Sequence, residues 1–477
     1  MSSAFQVFLL TKYIGNYFRI VIKKFDDMKY RIKHQLYRFF SIVAVLFSSV
    51  FILGCNKSSI ITEETEVLVI GGGTSGVVAA IQSARLGCKT ILIESGSQLG
   101  GTMTTGGVVF PGLFHAWGEQ VIKGIGWELV SEAVKMNGNA MPDFSKPTGK
   151  RHWEHQILIN GPLYALLSEE KALAAGVIIR YYETPLELKK KGDHWMVTIV
   201  GKGTNYKIKT KQIIDCTGNA SIAALAGYDR LRENETQPGS LIFELEGFDY
   251  ASLDEKKVKL LFEKALSAGM LFKTDGYNGI HSILNTHAGL SVQHVKGANS
   301  STSALHTRAN IDGRASLLRI LRFVRTIPGC ENAMIKKMQP ETAVRETYRI
   351  DGEYQITVGD YVGGKVFDDA LSYTFYPIDM HVEEGVDPKH LEEGMVPTVP
   401  LRALIPKASE NFMVAGRCVS SDRLANSALR VQASCMGMGQ SAGVVAALAC
   451  KYNTGPINVP LDEIRKTLKE QGAIVPE

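Results

Sequence analysis

Two residues apart, in the stretch FYPIDMH, stand a carboxylate and an imidazole, Asp379 and His381. An imidazole titrates near 6.5 in water, so it can take or give a proton around neutral pH. If the segment is extended, both side chains share a face and Asp379 can orient the ring. Arg345 and Arg430 are the cations suited to clamping a carboxylate or stabilising an oxyanion beside them. Bland readings compete with these. Arg345, Glu346 and Arg349 are spaced as in an ion-pair cluster, and His381 could be a structural hydrogen-bonding residue. Two further histidine groups, His152/His155 and His281/His287/His294, have no carboxylate or cysteine pattern around them, and no metal site is expected there.

Such side chains need a scaffold, and the most informative stretch is TEVLVIGGGTSGVVAAIQSARLGCKTILIESG. Glu66 to Ile70 reads as a buried parallel strand. Gly71-x-Gly73-x-x-Gly76 follows, with Ser75 inside the loop, then a helix with small residues on one side, then a second strand ending in Glu94. Gly71 makes the turn, Gly73 admits a pyrophosphate, and Gly76 lets helix and strand pack closely. The helix N-terminus offers free N–H groups to the phosphates. Glu94, about 20 residues on, can accept from ribose hydroxyls.

Gly161 to Gly176 reads as a helix and Val177 to Tyr182 as a strand. HWMVTIV and NYKIKTK, divided by Gly201-Lys202-Gly203, read as a hairpin. KQIIDCTGNAS reads as a further strand running into Thr217-Gly218. Near the C-terminus, Phe412 to Ala415 is a strand ending at Gly416-Arg417. Gly437, Gly439 and Gly443 are expected to open a helix over 441–449. Ala304 to Ile327 is expected to be helical, stopped by Gly329. No second strand–GxGxxG–helix unit exists, so a dedicated NAD(P)H domain is not expected.

These motifs together resemble the bacterial FAD-dependent oxidoreductase family found among secreted proteins and lipoproteins, within the glutathione-reductase-like flavoproteins. The resemblance covers about residues 64 to 450. It includes Gly100-Gly101-Thr102 after the acid, Arg345 to Tyr354, FYPIDMH, VPLRALIP and AGRCVSS. It departs where the family's fold class usually carries Asp: Asn219 follows Gly218, and Arg417 follows Gly416.

The resemblance implies an α/β, Rossmann-like FAD-binding domain of the two-dinucleotide-binding-domain kind, with an inserted α+β substrate domain. Bound FAD would be held by Gly71, Gly73, Ser75, Gly76, Glu94, Gly100, Gly101, Thr102, Thr217, Gly218, Gly416, Arg417, Gly439 and Gly443. The helix opened by the last glycines would point its N-terminus at the flavin's N1/O2 edge. The expected activity is two-electron redox of a small organic substrate, with carbohydrate-derived alcohols and α,β-unsaturated acids as leading classes. The electron partner is unspecified. The alternatives are FAD used structurally in a non-redox reaction, and a surface glycan-binding lipoprotein without enzymatic activity.

The N-terminal region carries a different message. Residues 1–55 hold eight Lys/Arg and two Asp, more than the whole chain's net charge of +5. The remainder is nearly neutral, so no nucleic-acid partner is expected. Lys29, Arg31, Lys33 and Arg38 precede an uncharged run from Phe39 to Gly54, short for a span of about 20 apolar residues. Ile52-Leu53-Gly54-Cys55 resembles a bacterial lipobox, which would make Cys55 the lipidated N-terminus of a membrane lipoprotein. An uncleaved anchor is the alternative. The other six cysteines form no C-x-x-C and read as isolated thiols.

The expected organisation is an extension with no assigned role over 1–27, with Met28 as the start; a signal over 28–55; and a tether over 56–64. The FAD domain follows over 65–227, with a cap over about 111–155. The substrate domain spans 228–403, the FAD domain closes over 404–455, and 456–477 is a tail.

Overall fold

The computed structural model describes residues 62–146, 150–285, 290–382 and 385–477, and within 1–60 the helical residues 15, 17, 19–24, 26–36, 38, 39 and 41. Residues 1–60 and 61–477 form two separate compact units. The lipobox, Cys55 and residues 56–61 of the expected tether lie outside the described residues.

The second unit is organised by one seven-stranded sheet. Its strands are β1 (Thr62–Ile70), β2 (Thr90–Glu94), β3 (Ile178–Tyr181), β4 (Glu183–Lys191), β5 (His194–Gly201), β6 (Thr204–Asp215) and β7 (Phe412–Val414). The order is β3-β2-β1-β6-β5-β4, with β7 also beside β6. β3, β2, β1, β6 and β7 run parallel, while β4, β5 and β6 form an antiparallel meander. The carboxyl-terminal halves of β1 and β2 are apolar because both faces are buried: Val67, Val69 and Leu92 pack on the helices over Thr74–Arg85 and Gln432–Tyr452, and Leu68, Ile70, Ile91 and Ile93 pack on Trp195, Val197 and Ile199 of the meander. β1 starts earlier than expected. Thr62 to Glu64 pair with Lys207 to Lys209, so the last described residues of the expected tether belong to the sheet.

The hairpin's second strand and the KQIID strand are one element. β6 pairs with β5 through its first half and with β7 through its last residues. All five parallel strands therefore deliver their carboxyl ends to one edge, where ligands of open α/β sheets bind.

The expected substrate domain divides. Leu241 to Ala333 build their own core around α2 (Ser303–Val324), with Phe243, Phe262, Ile283, Leu317 and Ile320 buried together. Ile350, by contrast, joins the sheet's β-meander core, and Ile356, Tyr361, Leu371, Ile378 and Leu404 join the main core with α1 (Thr74–Arg85). The expected cap contains a helix over Ile125–Met136 whose Leu129, Val130 and Ala133 also sit in that core. The expected tail carries a helix over Leu461–Glu470 with Ile464 and Leu468 fully buried. Apolar faces at helical spacing are docked here, not left to solvent.

The C-terminal glycines have a different task from the one expected. The last long helix runs Gln432–Tyr452, so Gly437, Gly439 and Gly443 lie inside it. A Cβ on Gly439 would come 2.3 Å from the Ser75 carbonyl oxygen, and one on Gly443 2.6 Å from that of Ala79. Two helix backbones cross in contact, which only glycine permits here. This helix is long and apolar enough to cross a membrane, but its apolar window is 94% buried in the protein. Gly443→Ala should force the helices apart and lower the unfolding midpoint by an amount equivalent to roughly 1–3 kcal/mol. An unchanged midpoint in a thermal melt would show that the crossing can relax.

Candidate active site

A cavity of about 1120 Å³ opens at the carboxyl ends of β1, β2 and β6, lined by Gly71, Gly73, Thr74, Glu94, Gly101, Thr217, Gly218 and Gly416. Gly71 has a φ of +100°, and a Cβ there would lie 2.6 Å from the Cys216 carbonyl. α1 begins with Gly73 as its N-cap, with no side-chain cap and no acidic residue in its first turn. Its N-terminal N–H groups and positive dipole end are left for an anion. Gly73 pairs with Gly100 as a short bridge, which brings the second glycine cluster to the loop.

Glu94 lies where a ribose carboxylate belongs, but it also braces the loop. Its Oε2 accepts from Gly72 N at 2.7 Å and its Oε1 from Gly96 N at 2.6 Å. Oε1 also accepts from Ser95 Oγ at 3.2 Å, so it is Oε2 that retains a second acceptor site. The Ser75 hydroxyl is turned away to the Ala415 carbonyl at 3.1 Å, tying the loop to β7. Thr102 lines the same cavity.

Arg417 lines the cavity, with its guanidinium engaged by protein groups. Its guanidinium donates to Gly218 O at 2.8 Å, to Asn219 Oδ1 at 2.9 Å and to the Val344 carbonyl. Asn219 also accepts from Thr347 Oγ1 at 2.6 Å and donates to Ser300 O at 2.9 Å. The two departures from the usual acids are thus partners: a carboxamide and a guanidinium lace four segments together beside the cavity. Sequence reasoning missed Asp215, fully buried, whose carboxylate takes N–H bonds from Thr217, Ile222 and Ala223 at 2.9–3.0 Å. It holds the Thr217-Gly218 turn against Gly71.

The long C-terminal helix does present its N-terminus to the cavity, from Gln432 and not from residue 441. Val431, Gln432 and Cys435 line the wall, and no acid sits in its first turn.

The same cavity is lined by Arg345, Asp379, His381 and Arg430. Asp379 and His381 lie on a strand, Ile378–Val382, as the extended reading requires. His381 Nε2 is 3.3 Å from Asp379 Oδ2, and Arg430 Nη2 is 3.1 Å from the same oxygen. His381 Nδ1 is 3.0 Å from His294 Nε2. His294 stacks on Tyr277 with ring centres 3.7 Å apart. Arg345 donates to Pro238 O at 2.5 Å and to the hydroxyls of Ser240 and Ser291 at 3.2 Å.

Behind these residues lies a buried brace. Gln237 accepts from His381 N at 3.0 Å and donates to Glu346 Oε2 at 2.9 Å, while Arg423 pairs with Glu346 at 2.9 Å. The ion-pair reading of the Arg345 to Arg349 segment therefore holds for Glu346 and for Arg349, which pairs with Glu233 at 2.6 Å. Arg345 alone of the three faces the cavity. Of the histidine groups, His294 joins the site, His152 packs on Tyr376, and His287 lies outside the described residues.

The electrostatics follow from burial and from two cations facing one carboxylate. Burial, with Arg430 nearby, pushes Arg345 down to about 10. Although burial opposes it, contact with His381 and Arg430 holds Asp379 well below the usual carboxylate range. Burial and the field of Arg345 pull His381 down to about 3, against the attraction of Asp379. Its imidazole is neutral throughout the physiological range, below the value expected from the free side chain.

The sign of the linkage is fixed. The unfolded chain binds a proton at His381 below 6.5, which the folded chain refuses until about pH 3. Stability from this group is full above 6.5 and is lost as pH falls. Relative to His381→Asn, the parent protein should lose about 1.4 kcal/mol per pH unit between pH 6.5 and 4. Urea unfolding at four pH values measures it, and parallel curves would remove the shift.

A family model described as FAD dependent oxidoreductase matches residues 66–468. The chain belongs to this family. Its cofactor is FAD and it is an oxidoreductase. The residues fit the cofactor: Gly73 has open space where a Cβ would stand, the first turn of α1 is uncapped, and Glu94 lies within the same cavity. The digeranylgeranylglycerophospholipid reductase of Methanocaldococcus jannaschii is 27% identical over 34% of this chain and 40% of its own length. The mitochondrial dihydrolipoyl dehydrogenase of Mus musculus is 52% identical over 10% of this chain and 9% of that protein. The chain thus matches less than half the length of these curated relatives. Among solved structures, a geranylgeranyl bacteriochlorophyll reductase-like protein from Thermoplasma acidophilum gives a TM-score of 0.41 at 14% identity, covering 86% of this chain and 83% of that one.

Proposed function

We propose that this flavoprotein exchanges two electrons with a small carboxylic acid, α,β-unsaturated or carbohydrate-derived. The observation that carries the reading is the group of Arg345, Arg430, Asp379 and His381 on one cavity wall. Two guanidinium groups face one carboxylate there, so the wall has a cationic excess that an anionic substrate would neutralise. FAD supplies the electron-pair acceptor or donor.

The chain's own residues handle the rest. Arg345 and Arg430 hold the substrate's carboxylate. His381, whose Nε2 faces Asp379 and whose Nδ1 faces His294, is the group that holds or releases the proton that accompanies the electron pair. A bound anion offsets the cationic field that depresses His381, so its proton affinity rises when substrate is present. Asp379 keeps the ring oriented.

The test is a panel of carboxylic acids and their reduced partners, scored anaerobically for bleaching or reoxidation of the bound flavin. His381→Asn should slow the responsive reaction by about 10²–10⁴-fold while FAD remains bound. An unaltered rate would remove His381 from the chemistry, and a flavin that responds only to uncharged alcohols would remove the carboxylate.

The parallel sheet carrying a meander on β6 supports placing the fold with the glutathione-reductase-like flavoproteins. The lipobox resemblance supports an exported protein anchored to a bacterial membrane through Cys55. Incorporation of labelled fatty acid, lost in Cys55→Ser, tests the anchor.

A further inference from the structure

The sequence alone suggests no pairing among the cysteines, yet the fold brings two of them together. Cys88 follows the Gly87 turn after α1 and leads into β2. Cys450 is in the last turn of the Gln432–Tyr452 helix, and the two thiols lie close enough for each to shift the other's proton affinity. The surrounding backbone fixes this meeting. Cys450 Sγ contacts Glu66 O at 3.6 Å, while Glu66 N and Val67 N both donate to Lys89 O, the residue after Cys88. One residue of β1 thus has one cysteine's sulfur against its carbonyl and the other cysteine's neighbour on its N–H.

Both thiols are free in this structure. Cys88 is half-buried and open to a reagent, whereas Cys450 is 7% exposed.

We propose that Cys88 and Cys450 are a disulfide-forming pair that locks the C-terminal helix to the start of β2 when the protein meets a disulfide donor. The inference is independent of the active-site reading, because neither cysteine lines the cavity, which opens at the opposite ends of the parallel strands.

The chemistry balances as thiol–disulfide exchange. The Cys88 thiolate attacks one sulfur of a small disulfide such as oxidised glutathione and expels one glutathione thiolate. Cys450, deprotonated, then attacks the Cys88 sulfur of the mixed disulfide and expels the second. Two protein thiols lose two protons and two electrons, and one glutathione disulfide becomes two thiols. The local charges suit this order. Contact with Cys450 lowers the Cys88 thiol below its ordinary value, and the same contact raises Cys450. Once Cys88 carries glutathione, its negative charge is gone and that obstacle to ionising Cys450 is lifted. The bond would close a loop spanning most of the second unit, the kind whose closure restrains the unfolded chain most.

The test incubates the FAD-loaded full chain with excess oxidised glutathione, followed by acid quench, alkylation and peptide mapping. The expected product is lighter by two hydrogens, carries a linked Cys88–Cys450 peptide and has two fewer alkylated thiols. Its unfolding midpoint should rise by several degrees and fall back with dithiothreitol, with flavin content unchanged. Cys88→Ser, at the more exposed position, should abolish both the link and the rise. A stable glutathione adduct on Cys88 that never transfers to Cys450 overturns the proposal. So does full alkylation of both thiols, or a link to any other cysteine.

Discussion

Gly73→Ala should produce a folded protein that has lost FAD, and Gly76→Ala should produce a protein that folds poorly with or without it. The two positions belong to one loop and differ in what surrounds them. A Cβ on Gly73 meets no heavy atom within 4 Å, and its φ of −69° and ψ of −176° suit alanine. The apo fold should therefore keep its stability, or gain about 0.4–1 kcal/mol from a stiffer unfolded chain. The new methyl would stand in the cavity, at the mouth of the uncapped helix, where the backbone must approach the pyrophosphate. A loss of at least about 100-fold in FAD affinity, roughly 2.7 kcal/mol, is the expected outcome.

At Gly76 the added atom would lie 1.8 Å from the Gly71 carbonyl oxygen and 3.0 Å from Cys216 Cβ. Backbone cannot yield as a side chain can, and α1 would have to leave β1. The cost should reach or exceed the upper end of the roughly 1–3 kcal/mol typical of overpacking. Flavin absorbance per protein and an apo melt distinguish the variants. A fully yellow Gly73→Ala protein would mean the loop does not contact the cofactor.

That pair also shows what was legible in the sequence. The dinucleotide loop is local: strand, turn, helix and acid lie within one continuous stretch, and each glycine's task depends on near neighbours. The C-terminal glycines looked similar but answer to α1, hundreds of residues away in the chain. Nothing between Arg430 and Gly437 marks a helix start, because the N-cap is Val431 with no side-chain cap. The helix was therefore expected too late, although its N-terminus still meets the cavity.

The brace behind His381 was invisible for the same reason. Gln237, His294, Glu346 and Arg423 come from four separate segments, and of these only Glu346 had a spacing signature, as a member of an ion-pair cluster. Asp379 and His381, alternating on one strand, announced themselves together with Arg345 and Arg430. Likewise, Asn219 and Arg417 each looked like a weakened motif. Their hydrogen bond makes them partners in one strut.

Asp379→Asn should destabilise the protein by about 3–5 kcal/mol, because it leaves buried cations without their anion. Asp379 is held by Arg430 at 3.1 Å and His381 at 3.3 Å, with Arg345 also acting on it through space. The amide keeps the shape and loses the charge, so packing is not the cause of the loss. Arg430→Gln should cost a similar amount by exposing Asp379 to the opposite problem. The double variant should recover much of the stability, since removing a whole buried pair is often close to neutral. Urea unfolding of the parent, both single variants and the double gives the coupling directly. Additive losses would mean the pair does not interact, and the charge argument for this wall would fail with them. The same set separates stability from substrate binding. Asp379→Asn retains both arginines without their counterion, so a bound carboxylate should stabilise it more than it stabilises the parent. The double variant has lost one arginine, so it should fold well and still bind that carboxylate weakly.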